Sequence, residues 1–144
     1  MYKRQGEIGA GSGWLTEAQT ESHANGYENK FGKDFNNDGL ISGGSFYQLF
    51  GSSGIVTLSS AGRTYSDDSS SLWDLTAAKE TASGFDILLE GSDGTSKEGY
   101  NFIYETNSSG EIGAGSGWLT DAQTTSNGYE SIFNVDFNKN GVID

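Results

Sequence analysis

A chain of 144 residues with a net charge of −12 and a pI near 4.2 has room for one core of ordinary size, and its field repels nucleic acid and anionic lipid. There is no Cys, no Pro and one His, which excludes disulfide scaffolds, Cys-ligated zinc and a thiol nucleophile and leaves little for a His-built site. Hydrophobic residues make up 33%, so the core is thin, the 22 Gly point to many turns, and no apolar run is long enough to insert in a membrane.

Met1–Gln5 reads MYKRQ, which is also what a common sequencing-library adapter encodes. It is expected to be a non-native leader and is left out of fold reasoning. From residue 6 the dominant feature is repetition. GEIGAGSGWLTEAQT at 6–20 returns as GEIGAGSGWLTDAQT at 110–124, and NGYENKFGKDFNNDGLI at 25–41 returns as NGYESIFNVDFNKNGVI at 127–143. A period of this length is a domain. The chain is therefore expected to hold the tail of one repeat, 6–41, and one nearly complete repeat, 42–144, from a longer tandem array.

Between the tails the pattern has period two. Phe46–Phe50 suggests a first strand. Ile55, Thr57 and Ser59 alternate with Val56 and Leu58. Trp73, Leu75 and Ala77 share one side of a run ending near Thr81. Phe85, Ile87 and Leu89 alternate with Asp86 and Glu90, and Tyr100, Phe102 and Tyr104 alternate with Asn101 and Glu105. Turn clusters at Gly51–Gly54, Ala61-Gly62, Ser83-Gly84 and Gly91–Gly94 join them by short loops, which predicts antiparallel neighbours in a meander. In each tail a short helix is expected, carrying Tyr27 and Phe31 in the first and Tyr129, Ile132 and Phe133 in the second. It is too short to stand without packing. Trp14 and Trp118 are expected to anchor core. The fold class is thus α+β, mostly β: an antiparallel meander sheet with a short helix leading into a calcium-type loop.

That loop is the one constellation with chemistry. Asp34-Phe35-Asn36-Asn37-Asp38-Gly39-Leu40-Ile41 is D-x-N-x-D-G-x-I, the first two-thirds of an EF-hand-type loop. Side-chain oxygens of Asp34, Asn36 and Asp38 and the carbonyl of Leu40 are the expected donors to calcium. Gly39 permits the sharp turn, and Ile41 pins the loop to the core. The second copy offers Asp136, Asn138, Asn140 and the carbonyl of Val142, with lower charge and so lower affinity. Positions 9 and 12 of the first loop are Ser42 and Ser45, so no bidentate carboxylate stands there. Glu28 and Glu130, six residues before each loop, are candidate further ligands, although six helical residues do not share a face. An ion-free Asx turn is the competing reading of the same residues.

The order of motifs resembles a known family. Trp73-Asp74-Leu75-Thr76-Ala77-Ala78-Lys79-Glu80-Thr81, then Gly84 and the Phe85–Glu90 strand, is similar to the core of the tryptophan-rich C-terminal domain of cyanobacterial surface and extracellular proteins. Gly54–Leu58 and Gly62–Tyr65 are similar to its early stretch, and the run from Glu130 to Ile143 is similar to its close. The resemblance covers 42–144, with the closing piece repeated at 6–41. Leu89, Phe102 and Tyr104 stand where that family has Trp, and Asp144 stands where it has Gly. Membership would imply a non-catalytic module, in tandem, in large secreted or surface proteins.

The expected function is a non-catalytic, calcium-stabilised repeat module with a structural or adhesive role outside the cell, its partners being neighbouring repeats. The alternative is a carbohydrate-binding module presenting exposed aromatics to surface polysaccharide. Acids such as Asp67, Asp68, Asp74 and Asp86 would serve a glycosidase, but no nucleophile, phosphate or metal–His motif accompanies them.

Overall fold

The computed structural model describes Trp14 and residues 27–41, 46–66 and 68–144. Expectations for the leader, most of the first tail's early part, Ser42, Ser45 and Asp67 lie outside the described residues. Among the described residues, strands hold 42% and helices 14%, so the chain is mostly β. The strands are β1 (Leu40–Ile41), β2 (Gln48–Gly51), β3 (Gly54–Thr57), β4 (Ser59–Ser60), β5 (Arg63–Thr64), β6 (Trp73–Glu80), β7 (Gly84–Gly91), β8 (Tyr100–Asn107) and β9 (Ile112–Thr120). The helices are α1 (Tyr27–Phe31), α2 (Asp121–Ser126) and α3 (Tyr129–Phe133).

An antiparallel meander is present as β6-β7-β8-β9, but the strand expected at Ile55–Ser59 lies outside it and β9 joins it unforeseen. A smaller sheet, β1-β2-β3, and a two-stranded hairpin, β4-β5, accompany it. The large sheet is covered on both faces. On one side Leu75, Ala78, Phe85, Ile87 and Leu89 pack with Tyr47, Leu49 and Leu58. On the other, Ala77, Leu88 and Ile103 pack with Phe137, and Tyr129, Phe133, Val135 and Leu119 lean on them. The order is therefore small sheet, large sheet, tail.

A bulge corrects one sequence-based grouping. The β6–β7 register slips between Leu75 and Ala77. The extra residue, Thr76, reverses the parity of the rest of the strand. Ala78 joins Leu75 on the first face, and Ala77 turns to the second beside Leu88.

β9 forms from a Gly-rich segment with little strand propensity. Gly115 explains how. A Cβ there would lie 2.6 Å from Phe102 Cε1 and 2.7 Å from Tyr104 Cε1. Those rings stack with centroids 4.4 Å apart, so the glycine leaves them room against the strand. β9 runs into α2 through a capping box: Thr120 Oγ1 accepts from the Gln123 N–H, and the Thr120 N–H donates to Gln123 Oε1 at 2.9 Å. Asn101, buried on β8, ties that helix down by donating to Asp121 Oδ1 (2.9 Å) and Thr124 Oγ1 (3.1 Å).

The two tryptophans expected in core differ. Trp118 is half-buried, edge-on to Phe102 at 5.4 Å, with Lys97 Nζ 5.1 Å from its ring centre. Trp14 is fully exposed, contrary to the expectation.

The described part of the first tail docks on the segment that follows it. Leu40 pairs with Leu49 and Ile41 with Gln48, which adds β1 to the small sheet. The Phe50 N–H donates to Gly39 O and the Ala78 N–H to Asp38 O, each at 2.8 Å. Ile41 is buried, as expected of the residue that pins the loop.

Candidate functional site

Each loop begins where its helix stops. Gly32 (φ +61°) comes directly after α1 and Asn134 (φ +57°) directly after α3. Glycine adopts this left-handed conformation freely, and Asn is among the few other residues that do so routinely. The turn folds the chain back over the helix. This overturns the argument that a Glu six residues upstream cannot face the loop, because the intervening residues are not all helical.

Glu28 and Glu130 are both completely buried. Glu28 Oε1 accepts from the Phe35 N–H at 2.8 Å. Glu130 Oε1 accepts from the N–H groups of Phe137 (2.9 Å) and Asn138 (3.2 Å) and from Thr125 Oγ1 (2.8 Å), and its Oε2 accepts from the Asp144 N–H (2.9 Å). The Asp144 bond first, then those from Thr125, Asn138 and Phe137, hold the Glu130 carboxyl below its ordinary pKa against the opposing effect of burial. In this geometry each Glu organises backbone donors at the root of its loop. A cation at Glu130 would have to displace them.

The loops themselves share one frame. In the first, Asp34 Oδ2 accepts from the Gly39 N–H (2.8 Å) and Oδ1 from the Asp38 N–H (3.3 Å). Asn36 Oδ1 also accepts from the Asp38 N–H (3.2 Å), and Asp38 Oδ1 from the Leu40 N–H (2.9 Å). In the second, Asp136 Oδ2 accepts from the Gly141 N–H (2.7 Å) and Oδ1 from the Asn140 N–H (3.2 Å). Asn138 Oδ1 accepts from the Asn140 N–H (3.0 Å), and Asn140 Oδ1 from the Val142 N–H (2.9 Å). Asn37 and Lys139, at the same loop position, both have φ +59°, and Gly39 and Gly141 have φ +82° and +86°.

Six of the expected side-chain donors are thus brought together in two sets of three: Asp34, Asn36 and Asp38, and Asp136, Asn138 and Asn140. Leu40 and Val142, expected to donate carbonyls, are tied in through their N–H groups. The first set has two carboxylates crowded near Glu28. Burial raises the pKa of Asp34, with the charge of Glu28 adding and the Gly39 N–H opposing. Burial likewise pushes Asp38 up to about 6, with Asp34 and Glu28 adding. The second set has one carboxylate, and Asn140 Nδ2 donates to Asp144 Oδ2 at 3.2 Å.

The donors are hard oxygens of the type calcium takes, but they close only part of a shell. No group of three or more His, Cys, Asp or Glu side chains placed to hold a metal occurs among the described residues. The remaining ligands would have to come from water or the backbone.

Comparisons with protein families, with curated proteins and with solved structures give no match. No helix among the described residues is long and apolar enough to cross a membrane.

Proposed function

We propose that this chain is a non-catalytic repeat module, of the kind found in tryptophan-rich domains of secreted or surface proteins, whose D-x-N-x-D-G-x-I loop and its D-x-N-x-N-G-x-I copy take up calcium. The observation that carries the reading is the frame built twice. Two loops of different sequence and different surroundings hold side chains from the same three positions in the same hydrogen-bonded turn, each seated on a buried Glu at the same place. In the first loop two carboxylates repel each other and Glu28, and a bound divalent cation would relieve that repulsion.

With two carboxylates and no bidentate closing ligand, affinity belongs in the weak extracellular range, about 10⁻⁴–10⁻³ M. Calcium would then brace the module outside a cell, where the ion is abundant, and support a structural or adhesive role in an array. Because the ion binds only the folded loop, calcium at ten times Kd adds about 1.4 kcal/mol of stability.

The test is thermal unfolding of the full chain in chelator and at rising calcium up to 10 mM, beside Asp34→Ala and Asp38→Ala. A calcium-dependent rise in Tm that both variants reduce to the smaller effect of the second loop is expected. An unchanged Tm at 10 mM calcium in the unsubstituted chain removes the ion from the function.

A further inference from the structure

The two tails are one sequence unit seen in two settings, and each setting leaves a different side bare. In the first copy the downstream end is docked, as β1 on β2, with Ile41 buried. Gly39 lies so close to β6 that a Cβ on it would collide with the Ala78 carbonyl. In the second copy the counterparts Val142 and Ile143 are 57% and 41% exposed, and Gly141 faces open space. At the upstream end the settings reverse. Tyr129 and Phe133 pack on the second face of the large sheet, whereas Phe31 is 71% exposed.

We infer that each tail is a two-sided connector. Its helix covers the sheet of its own repeat, and its final strand completes the small sheet of the next. The surface formed by Gly141, Val142 and Ile143 is thus a docking strand. Its occupant is the β2 edge and β6 backbone of a further copy of the Phe46–Glu80 unit, tethered through Asp144, the counterpart of Ser42. The docked register is the one visible in the first copy: Val142 opposite the residue equivalent to Leu49, and Ile143 opposite the equivalent of Gln48. Apolar Val142 and Ile143 replace apolar Leu40 and Ile41, so the chemistry of the buried contact is kept.

The pairing does not close within this chain, because its own β2 edge is taken by Leu40 and Ile41. A separate molecule would have to displace a segment held by its own chain at an effective concentration in the millimolar range. A tethered copy faces no such competitor.

The inference rests on the repeat-module reading but not on calcium. It is tested with a longer chain in which residues 43–144 are repeated after Asp144, compared with the 144-residue chain by amide hydrogen exchange, in chelator and in calcium. The amides of Gly141–Ile143 are expected to slow by about 100-fold or more in the longer chain relative to their rates in the 144-residue chain, and Ile143→Asp at the joint is expected to return them to those rates. If the added repeat folds while those amides exchange as they do in the shorter chain, the connector is overturned. It is equally overturned if the added repeat stays unfolded beside a folded first one, or if Ile143→Asp leaves the protection intact. Protection in chelator without a calcium shift removes only the ion, and a calcium shift without protection removes only the connector.

Discussion

Gly39 and Gly141 occupy the same loop position with nearly the same backbone angle, yet substituting them should have unequal effects. An Ala at either site costs about 1–2 kcal/mol for its left-handed conformation. Only at Gly39 does the new Cβ meet the Ala78 carbonyl of β6. Strand β1 must then lift. That sacrifices the Phe50-to-Gly39 and Ala78-to-Asp38 hydrogen bonds, worth about 0.5–1.5 kcal/mol each, and part of the burial of Ile41. Gly39→Ala is expected to destabilise by about 3–6 kcal/mol and Gly141→Ala by about 1–2 kcal/mol. Urea unfolding in chelator measures both without any contribution from ions. Equal losses, within about 0.5 kcal/mol, would refute the docking of the first loop on β6.

The same chain gives four further expectations. Asp38 titrates near 6 in the folded state and near 3.8 when exposed, so its ionisation opposes folding. Its contribution to stability in chelator is fully present below about pH 4 and is lost as pH rises through 6, which Asp38→Asn should flatten in pH-dependent melting curves. Glu130 has the opposite sign, because its folded pKa lies below 4.5, so its contribution holds above that pH and is lost on acidification. Glu130→Ala should therefore speed amide exchange at Phe137, Asn138 and Asp144, and unchanged exchange would deny its organising role. Leu88→Ala, at a fully buried site on the second face of the sheet, should cost about 2–5 kcal/mol in thermal unfolding, and Thr120→Ala, which breaks the cap of α2, about 1 kcal/mol.

Strands with a strong side-chain alternation were legible in the sequence. Phe85, Ile87 and Leu89 lie on one face as expected, and the short loops do join antiparallel neighbours. Leu88 carried the missed message: an apolar residue at an outward parity signals a sheet buried on both faces. The bulge at Thr76 has no such signal, since it shows only in the register with β7. β9 was hidden because Gly113, Gly115 and Gly117 lower strand propensity, and Gly115 is explained only by the bulky Phe102 and Tyr104 that lie against it. The capping box Thr120-Asp121-Ala122-Gln123 was readable and marks α2. In the loops, the frame of three side chains was implicit in the motif. The place of Glu28 and Glu130 was not, because it depends on where a five-residue helix ends.

Strand β1 belongs by sequence to the copied tail segment and by folding to the small sheet that follows it. A fragment cut at the similarity boundary, starting at residue 42, would keep β3 beside β2 but lack β1 on its other edge. Its bare strand, Gln48–Gly51, would be a template for pairing with other chains, so such a fragment is expected to aggregate where one starting before Tyr27 stays soluble. Dissection of this protein into parts, or its recombination with other modules, should therefore track the folded seam and not the repeat.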